Sequence, residues 1–200
     1  MRWYMTAAVG FLCLGTQVSA KAPDGDGAPA GFRTTKDDTI VHKASKTQFP
    51  LHLAGFTRVL EKPFDLAGHN VVVAYSQTIN GQPVLARIAL IQIVGMTPKE
   101  HYLGIKSMVG SYVQGLSFTN VKPQGEGPFT LPGMKPGSGY QGRFKALQKG
   151  HPYELSLSTV RLGKWDVRLT AAYPAATALT ARANIQALVA GLRQSGPAHL

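Results

Sequence analysis

The chain has 200 residues, 44% of them hydrophobic, with 21 lysine and arginine residues against 10 aspartate and glutamate residues. This length and apolar content allow one domain with a packed core and exclude a wholly disordered protein or a large multidomain assembly. The 22 glycines follow no triplet period, which excludes a collagen-like fibre. The net charge of +11 favours anionic partners.

The first twenty residues have the organisation of an export signal. Arg2 supplies a positive start, residues 7–14 form an apolar stretch, and residues 18–20 offer a signal-peptidase site. The apolar stretch is far shorter than the roughly 20 residues that span a bilayer. We therefore predict a signal peptide over residues 1–20, cleaved near Ala20. The protein is expected in the periplasm of a bacterium, or secreted, with no transmembrane span in the mature chain.

Cys13, the single cysteine of the chain, lies inside this segment. The residues before it, Gly10-Phe11-Leu12, do not match the pattern of a lipid-anchored cysteine, so we predict no lipoprotein. Cleavage near Ala20 leaves a mature chain without cysteine, which excludes disulfides, thiolate nucleophiles and cysteine-ligated zinc. Export without disulfides favours a periplasmic protein over a small disulfide-stapled secreted domain.

Composition divides the remaining chain into three parts. Residues 21–48 are rich in Ala, Pro, Gly, Asp, Lys and Thr and contain few large apolar residues. Such a segment buries too little surface to offset the entropy cost of ordering it. We predict a flexible N-terminal segment over 21–48, a single domain over 49–194 and a frayed C-terminal tail over 195–200.

The first half of the predicted domain has the pattern of an antiparallel sheet. Strands are predicted over residues 56–60, 70–77 and 84–94, where apolar and β-branched residues cluster. Asn80-Gly81, between the last two strands, is a favoured tight-turn pair. These two strands are apolar at nearly every position, which indicates a central place in the sheet.

A helix is predicted after these strands. Thr97-Pro98-Lys99-Glu100 matches a capping box with proline at the first helical position. An apolar stripe at three- and four-residue spacing follows, formed by Tyr102, Ile105, Val109, Tyr112 and Leu116. The helix is expected to end near residues 115–117.

The second half of the domain repeats the order of strands and then a helix. Residues 118–130 are predicted to be extended, and strands are predicted over 140–149, 153–162 and 165–173. In the last of these, the residues from Trp165 to Tyr173 alternate with a period of two. An alanine-rich helix is predicted over 175–192. Hairpin connections in this order predict an α+β fold, an antiparallel β-sheet packed with two main helices.

Several of these segments together carry a resemblance to a known fold. They are Phe49-Pro50 through Phe56-Thr57-Arg58, the strand at 71–75, the Asn80-Gly81 hairpin, the Thr97 helix, the Val167-Arg168-Leu169 strand and the terminal helix. This pattern resembles the Mog1/PsbP-like fold of many exported bacterial proteins. The resemblance implies an α/β sandwich that acts as a binding or accessory module, and it implies no catalytic residue in this chain.

Two other features of the sequence have the residue types of cofactor or metal sites. Residues 137–142 have the spacing G-x-G-x-x-G, but residues 143–149 alternate like a strand, whereas a dinucleotide fingerprint must open a helix. The histidines lack the spacing of converging ligands; they are His42, His52, His69, His101, His151 and His199. We predict a glycine-rich turn, solvated or capping histidines, no cofactor and no metal.

Signatures of hydrolysis are missing from the sequence. It contains no G-x-S-x-G elbow and no S-x-x-K with its partner motifs. The six carboxylates of residues 49–200 offer no pair that spacing selects for acid–base chemistry. We predict no catalytic residue and favour a non-catalytic protein, with a small hydrolase as a second alternative.

The excess positive charge belongs to the predicted domain. Residues 49–200 hold fifteen basic and six acidic residues, whereas residues 21–48 hold five and four. The basic residues of the late strands form a candidate surface for an anionic partner: Lys135, Arg143, Lys145, Lys149, Arg161, Lys164 and Arg168. Arg143, Lys145 and Lys149 share strand parity and are expected on one face of the sheet.

Taken together, these features predict an exported, non-catalytic binding or accessory protein of unknown ligand, whose partner is an envelope protein or an anionic envelope component. The alternative is a basic-surface binder of anionic envelope components, either lipid headgroups or polysaccharide. A solvated basic surface without a partner is the competing interpretation of the same charge. Nucleic acid is disfavoured because no recognition motif is present and export removes the usual targets.

Overall fold

The structure is a computed structural model and describes residues 28–112, 116–131 and 134–194 of the chain. The predicted signal peptide over 1–20 and the predicted frayed tail over 195–200 lie outside the described residues, as do residues 21–27. The strands and helices below all belong to the described part.

Three short strands pair in sequence order near the start of the described chain: Phe32–Thr34 (β1), Ile40–His42 (β2) and Gln48–Phe49 (β3). Phe32, Ile40 and Phe49 are at most 2% exposed and pack into the main apolar core. The prediction of a flexible segment over 21–48 is therefore wrong for residues 28–48. A few well-spaced large side chains bury this small sheet, although its average composition is polar.

A second, antiparallel sheet of eight strands follows. Its strands are His52–Leu53 (β4), Phe56–Pro63 (β5), Asn70–Ile79 (β6), Gln82–Gln92 (β7), Phe118–Phe129 (β8), Gly139–Gln148 (β9), His151–Leu162 (β10) and Trp165–Pro174 (β11). Their spatial order is β4-β5-β6-β7-β11-β10-β9-β8. Two meanders thus meet where β7 pairs with β11, and the strands predicted from the sequence are confirmed within a few residues.

Tight turns join the central strands of this sheet. Asn80 and Gly81 have φ of 51° and 74°, as the two-residue turn between β6 and β7 requires. Gly163, with φ of 58°, opens the two-residue turn between β10 and β11. The predicted Asn80-Gly81 turn is confirmed, and the turn at Gly163 lies between the two strands predicted over 153–162 and 165–173, because these turn types favour residues that tolerate positive φ.

Helix α1, Pro98–Ile105, begins where the sequence predicts, but it is shorter than expected. The Thr97 hydroxyl accepts the Glu100 N–H at 3.2 Å and the Glu100 carboxylate accepts the Thr97 N–H at 2.7 Å, which confirms the capping box. The chain continues as a 3-10 helix, Lys106–Tyr112. Gly104 and Gly110 lower the helix propensity of this segment and account for the early end of α1.

The helices cover opposite faces of the large sheet. Helix α2, Ala178–Gln194, follows β11 through a short 3-10 turn. On β11, Ala172 packs with Tyr102 of α1, whereas its neighbours Ala171 and Tyr173 pack with α2. Successive residues of a strand point to opposite faces, so α1 lies on one face and α2 lies with the small sheet on the other. The predicted α+β sandwich of an antiparallel sheet and two helices is confirmed.

The glycine series at 137–142 opens strand β9 and does not open a helix. Gly137 is in the preceding turn with φ of 69°, and a side chain at Gly139 would collide with the Phe129 ring. At Gly142, an added Cβ would collide with the Tyr102 hydroxyl oxygen. Close packing therefore explains the last two glycines, and turn geometry explains the first.

His42 fastens the small sheet to the rest of the protein. Its ring is fully buried, lies edge-on to Trp165 at 5.0 Å, and hydrogen-bonds the Gly68 carbonyl through Nε2 at 2.7 Å. Nδ1 accepts the Ser45 N–H at 3.3 Å, which makes Nε2 the protonated donor. The prediction of a solvated or capping histidine is wrong for His42, because the small sheet buries it.

Acid is expected to destabilise the protein through His42. Burial lowers the pKa of folded His42 below its ordinary 6.5, so the unfolded chain takes up a proton first as the pH falls. The contribution of neutral His42 to stability is present above this value and is lost as the pH falls from there through the folded pKa. Urea unfolding at about pH 7.5 and about pH 5 measures this loss. His42→Gln should show a smaller loss between the two pH values, whereas the exposed control His151→Gln should behave as wild type; equal losses in all three proteins would contradict the assignment.

Candidate functional site

A groove runs between helix α2 and the outer strands of the large sheet. Its volume is about 900 Å³, within the range of small-molecule sites. One side of α2 packs into the core through Ala181, Leu188 and Leu192. The adjacent side, spaced one helical turn apart, lines the groove at Arg182, Ile185, Gln186 and Val189. The groove floor is formed by β7, β9, β10 and β11.

One end of the groove is apolar. Its walls are built from the C-terminal part of α2, the late part of β10, the early part of β11 and the small sheet. These residues are Phe49, Leu90, Val160, Leu162, Val167, Leu169, Val189, Ala190 and Leu192. Strand alternation directs the listed residues of β7, β10 and β11 to the α2 side of the sheet.

The other end, near the start of α2, is polar. The lining side chains there are Gln141, Arg143, Ser156, Ser158, Tyr173 and Arg182. The register aligns them across strands, because Arg143 is opposite Ser156 and Tyr173 is opposite Glu154. Directly opposed residues of antiparallel strands point to the same face. The groove is therefore polar near the start of α2 and mostly apolar toward the end of α2; Ser158 is level with Leu169 between the two ends, and Thr47 and Thr130 also belong to the lining.

Tyr173 brings an unsatisfied hydroxyl to the polar end. Its side chain is fully buried, and its hydroxyl has no hydrogen-bond partner among the described residues. Burial, reinforced by the Glu154 carboxylate, raises the pKa of Tyr173 to about 12 against the opposing charges of Arg182 and Arg143. The hydroxyl is therefore neutral at physiological pH and able to donate a hydrogen bond.

The charges around Tyr173 are only partly paired. The Arg182 Nε lies 3.9 Å from Glu154 Oε2 and donates instead to the Ala178 carbonyl at 3.1 Å. Glu154 Oε2 is buried and has no hydrogen-bond partner in the described part of the chain. Arg143 is exposed and forms no ion pair with any described carboxylate. The polar end thus offers a neutral donor, an unpaired guanidinium and an incompletely bonded ion pair.

The structure divides the seven basic residues of the predicted anionic-partner surface. Arg143 and Lys145 lie together on the α2 face of β9, opposite Ser156 and Glu154. Arg161 and Arg168 lie on the opposite, α1 face, in register with Asp166 and Thr159. Lys135, Lys149 and Lys164 lie in the connections between strands. The expectation that Lys149 shares a face with Arg143 is wrong, because β9 ends at Gln148 and Lys149 turns the chain with φ of 50°.

Arg161 belongs to a buried polar cluster beneath α1. The His101 Nδ1 lies 2.8 Å from Asp166 Oδ2, and the Arg161 guanidinium lies 3.7 Å from the same oxygen. Arg161 also donates to the carbonyls of Ile93, at 2.9 Å, and Met96. This cluster fastens the loop before α1 to the sheet. His101 is 5% exposed, so the prediction of a solvated or capping histidine is wrong for it too.

The site residues predicted from the sequence did not include Tyr173, Arg182, Ser156 or Ser158. Tyr173 continues a strict apolar alternation, which is typical of an ordinary core residue. Arg182 and Gln186 interrupt the apolar stripe of α2 at adjacent turns, and this was the one visible signal. Which face of α2 borders open space depends on how the helix sits on the sheet.

Within the described ranges, the helices and the clusters of titratable side chains bear on membrane spanning and on metal binding. No helix there combines the length and the apolar character needed to cross a membrane. No cluster of three or more histidine, cysteine, aspartate or glutamate side chains in those ranges has the arrangement of a metal site.

Comparison with known proteins concerns the fold. No protein-family model matches the sequence, and no curated protein matches it. Among solved structures, the chain is similar to the Ran-binding protein Mog1p of Saccharomyces cerevisiae, with 15% identity and a TM-score of 0.41 over 74% of this chain and 87% of that chain. The likeness agrees with the Mog1/PsbP-like pattern of elements. At this TM-score it carries no argument about function or about matching residues.

Two buried tyrosines provide a matched test of the unsatisfied hydroxyl. Tyr75 is as buried as Tyr173, but its hydroxyl donates to the Pro50 carbonyl at 2.9 Å. Tyr75→Phe should lower the free energy of unfolding by about 1 kcal/mol, the usual worth of such a bond. Tyr173→Phe should leave it unchanged or raise it, because the change removes a buried hydroxyl without a partner. Urea unfolding of the ligand-free proteins measures both, and equal losses would show that Tyr173 is satisfied.

Proposed function

We propose that this protein is an exported, non-catalytic binding module that holds the apolar chain of an amphiphilic molecule in the groove beside α2. The observation that carries the proposal is the ordering of the groove, which is apolar at one end and polar at the other. An amphiphile matches this arrangement in both chemistry and direction. The proposal narrows the alternative of an anionic envelope ligand to molecules that also carry an apolar chain.

The physical basis of binding is the burial of apolar surface on both partners. Aliphatic side chains of α2, β10 and β11 border the groove. They are less fully buried than they would be if the two walls of the groove were in contact. A ligand chain that fills this space removes apolar area from water at roughly 25 cal/mol per Å². The polar end remains open to receive a headgroup, so polar contacts there compensate for the water that the headgroup loses.

The groove is tested with the neutral fluorescent probe N-phenyl-naphthylamine. The purified protein should bind it with a rise in fluorescence, because the probe enters an apolar site. Ala190 lines the apolar end, whereas Ala187, on the same helix, is exposed and lies outside the groove. Ala190→Phe fills the groove and should weaken binding by about tenfold or more, equivalent to about 1.4 kcal/mol.

The matched control is Ala187→Phe, which adds the same ring to the solvent side of α2 and should bind the probe as wild type does. Absence of probe binding by the wild-type protein, or equal binding by the two phenylalanine variants, would contradict the proposed function.

Export is the second part of the proposal and rests on the pattern of residues 1–20. Fused to alkaline phosphatase, which becomes active only where its disulfides form, these residues should give periplasmic activity in a bacterial host. Leu12→Arg interrupts the apolar stretch and should abolish the activity, whereas Thr6→Arg extends the positive start and should retain it. An inactive wild-type fusion, or equal activity of all three, would count against export by this segment.

A further inference from the structure

Building on the proposed function, we propose that the amphiphile carries a single carboxylate, and that the Arg143 guanidinium and the Tyr173 hydroxyl hold this head at the polar end of the groove. The chain of the ligand then lies along α2 toward Val189 and Leu192. The proposal names the ligand class as a single-chain fatty acid. It is argued from three observations at the polar end.

The first observation is the buried hydroxyl of Tyr173. Buried hydroxyl groups in folded proteins nearly always have a hydrogen-bond partner, and leaving one unpaired costs about 1–3 kcal/mol. Tyr173 is fully buried in the wall of the groove, and its hydroxyl has no partner in the described residues. The Ser156 side chain, on the same face, is near enough to lower the pKa of Tyr173, but its geometry with the Tyr173 hydroxyl is not that of a hydrogen bond. An acceptor oxygen of a ligand completes this site.

The second observation is the position of Arg143. Its strand register directs it to the same face as Ser156, beside the groove, and it pairs with no described carboxylate. On the neighbouring edge strand the opposing residue is Gly125, where an added Cβ would meet nothing within 4 Å. The guanidinium therefore has open space in which to turn toward the groove. Its planar fork of N–H donors matches the two oxygens of a carboxylate.

The third observation is the balance of charge around the head position. Arg143, Lys145 and Arg182 on this side favour an anion, and a cationic head would be repelled by all three. The N-terminus of α2 lies at the same end and adds a further positive field. Glu154, opposite Tyr173 and 3.9 Å from Arg182, opposes a second negative charge. A monoanionic carboxylate fits this balance better than a dianionic phosphate.

The direction of the chain follows from the order of the lining residues. Arg182 lies at the polar end and Val189 at the apolar end of the same helix, and the seven positions from one to the other rise about 10 Å. Taken against its chain direction, strand β11 has the same order of lining residues, from Tyr173 through Leu169 to Val167. Both walls therefore change from polar to apolar in one direction, which orients the ligand head toward the start of α2.

The experiment displaces bound N-phenyl-naphthylamine with amphiphiles that share a dodecyl chain and differ in the head. Dodecanoate, dodecanol, dodecyl phosphate and dodecyltrimethylammonium are compared below the concentrations at which they form micelles. Dodecanoate should displace the probe at a concentration about tenfold or more below that of dodecanol, and it should also act at a lower concentration than the phosphate. The trimethylammonium compound should be the weakest.

Two variants assign the preference to residues. Arg143→Gln should raise the concentration of dodecanoate that displaces the probe until it is close to that of dodecanol, while leaving the affinity for the neutral probe unchanged. Lys164→Gln removes the same charge from an exposed turn beyond the apolar end and should retain the wild-type preference. Tyr173→Phe should weaken the displacement of the probe by dodecanoate, although it should not lower the stability of the ligand-free protein. A purely structural tyrosine would not produce this combination.

The outcomes distinguish failure of the proposed function from failure of the carboxylate proposal. Failure of the wild-type protein to bind the probe overturns the proposed function and this inference with it. Probe binding with equal displacement by dodecanoate and dodecanol supports the groove as a binding site and overturns the proposal of a carboxylate head. Stronger displacement by dodecyl phosphate also overturns it, in favour of a phosphate head. A preference for dodecanoate that Arg143→Gln leaves intact overturns the assignment of the head to Arg143.

Discussion

The large sheet carries apolar side chains on both faces, and covering both is the constraint on which the other features of the structure depend. Helix α1 covers β9 and β10 on one face, where Tyr102 packs with Leu155 and Leu157. Helix α2 and the small sheet cover the central strands on the other face. The α2 face of β9 and β10 is left beside open space, where its side chains are polar at Gln141 and Ser156 and apolar at Val160 and Leu162. The groove is thus the part of the sheet that α2 does not cover.

Buried polar groups in this protein fall into two classes by their place, inside the packed core or beside the groove, although Asp166 Oδ1 in the first class also lacks a hydrogen bond within the described chain. His42 has a partner at each ring nitrogen and holds the small sheet in place, and the contact between His101 and Asp166 holds the loop before α1. Tyr173 and Glu154 border the groove and each leave a buried oxygen without a hydrogen bond in the described chain. Groups of the first class stabilise the fold. Those of the second class lower stability unless a ligand completes them, which is typical of a binding site.

The likeness of the fold to Mog1p does not decide between functions, because one fold supports many of them and function is a property of the site. Charge alone does not decide either. The seven basic residues that form one candidate surface in the sequence are divided between two faces and three turns in the structure. Arg143 and Lys145 remain beside the groove, and Arg161 is engaged in fastening a loop. The anionic preference therefore rests on local geometry more than on the net charge.

Local patterns in the sequence were sufficient for the elements and for the fold class. The Thr97 capping box, the Asn80-Gly81 turn and the alternation from Trp165 to Tyr173 each depend on a few neighbouring residues, so the chain determines them directly. Residues 28–48 were missed because burial there depends on contacts of Phe32 and Phe49 with distant strands. The groove was missed for the same reason: the spacing between α2 and the sheet is set by packing across the whole domain. The sequence by itself determined the long strands of the large sheet, the helix starts and the excess of positive charge. Only the tertiary structure decided which face of each strand is covered, because covering a face requires residues far apart in the chain to meet.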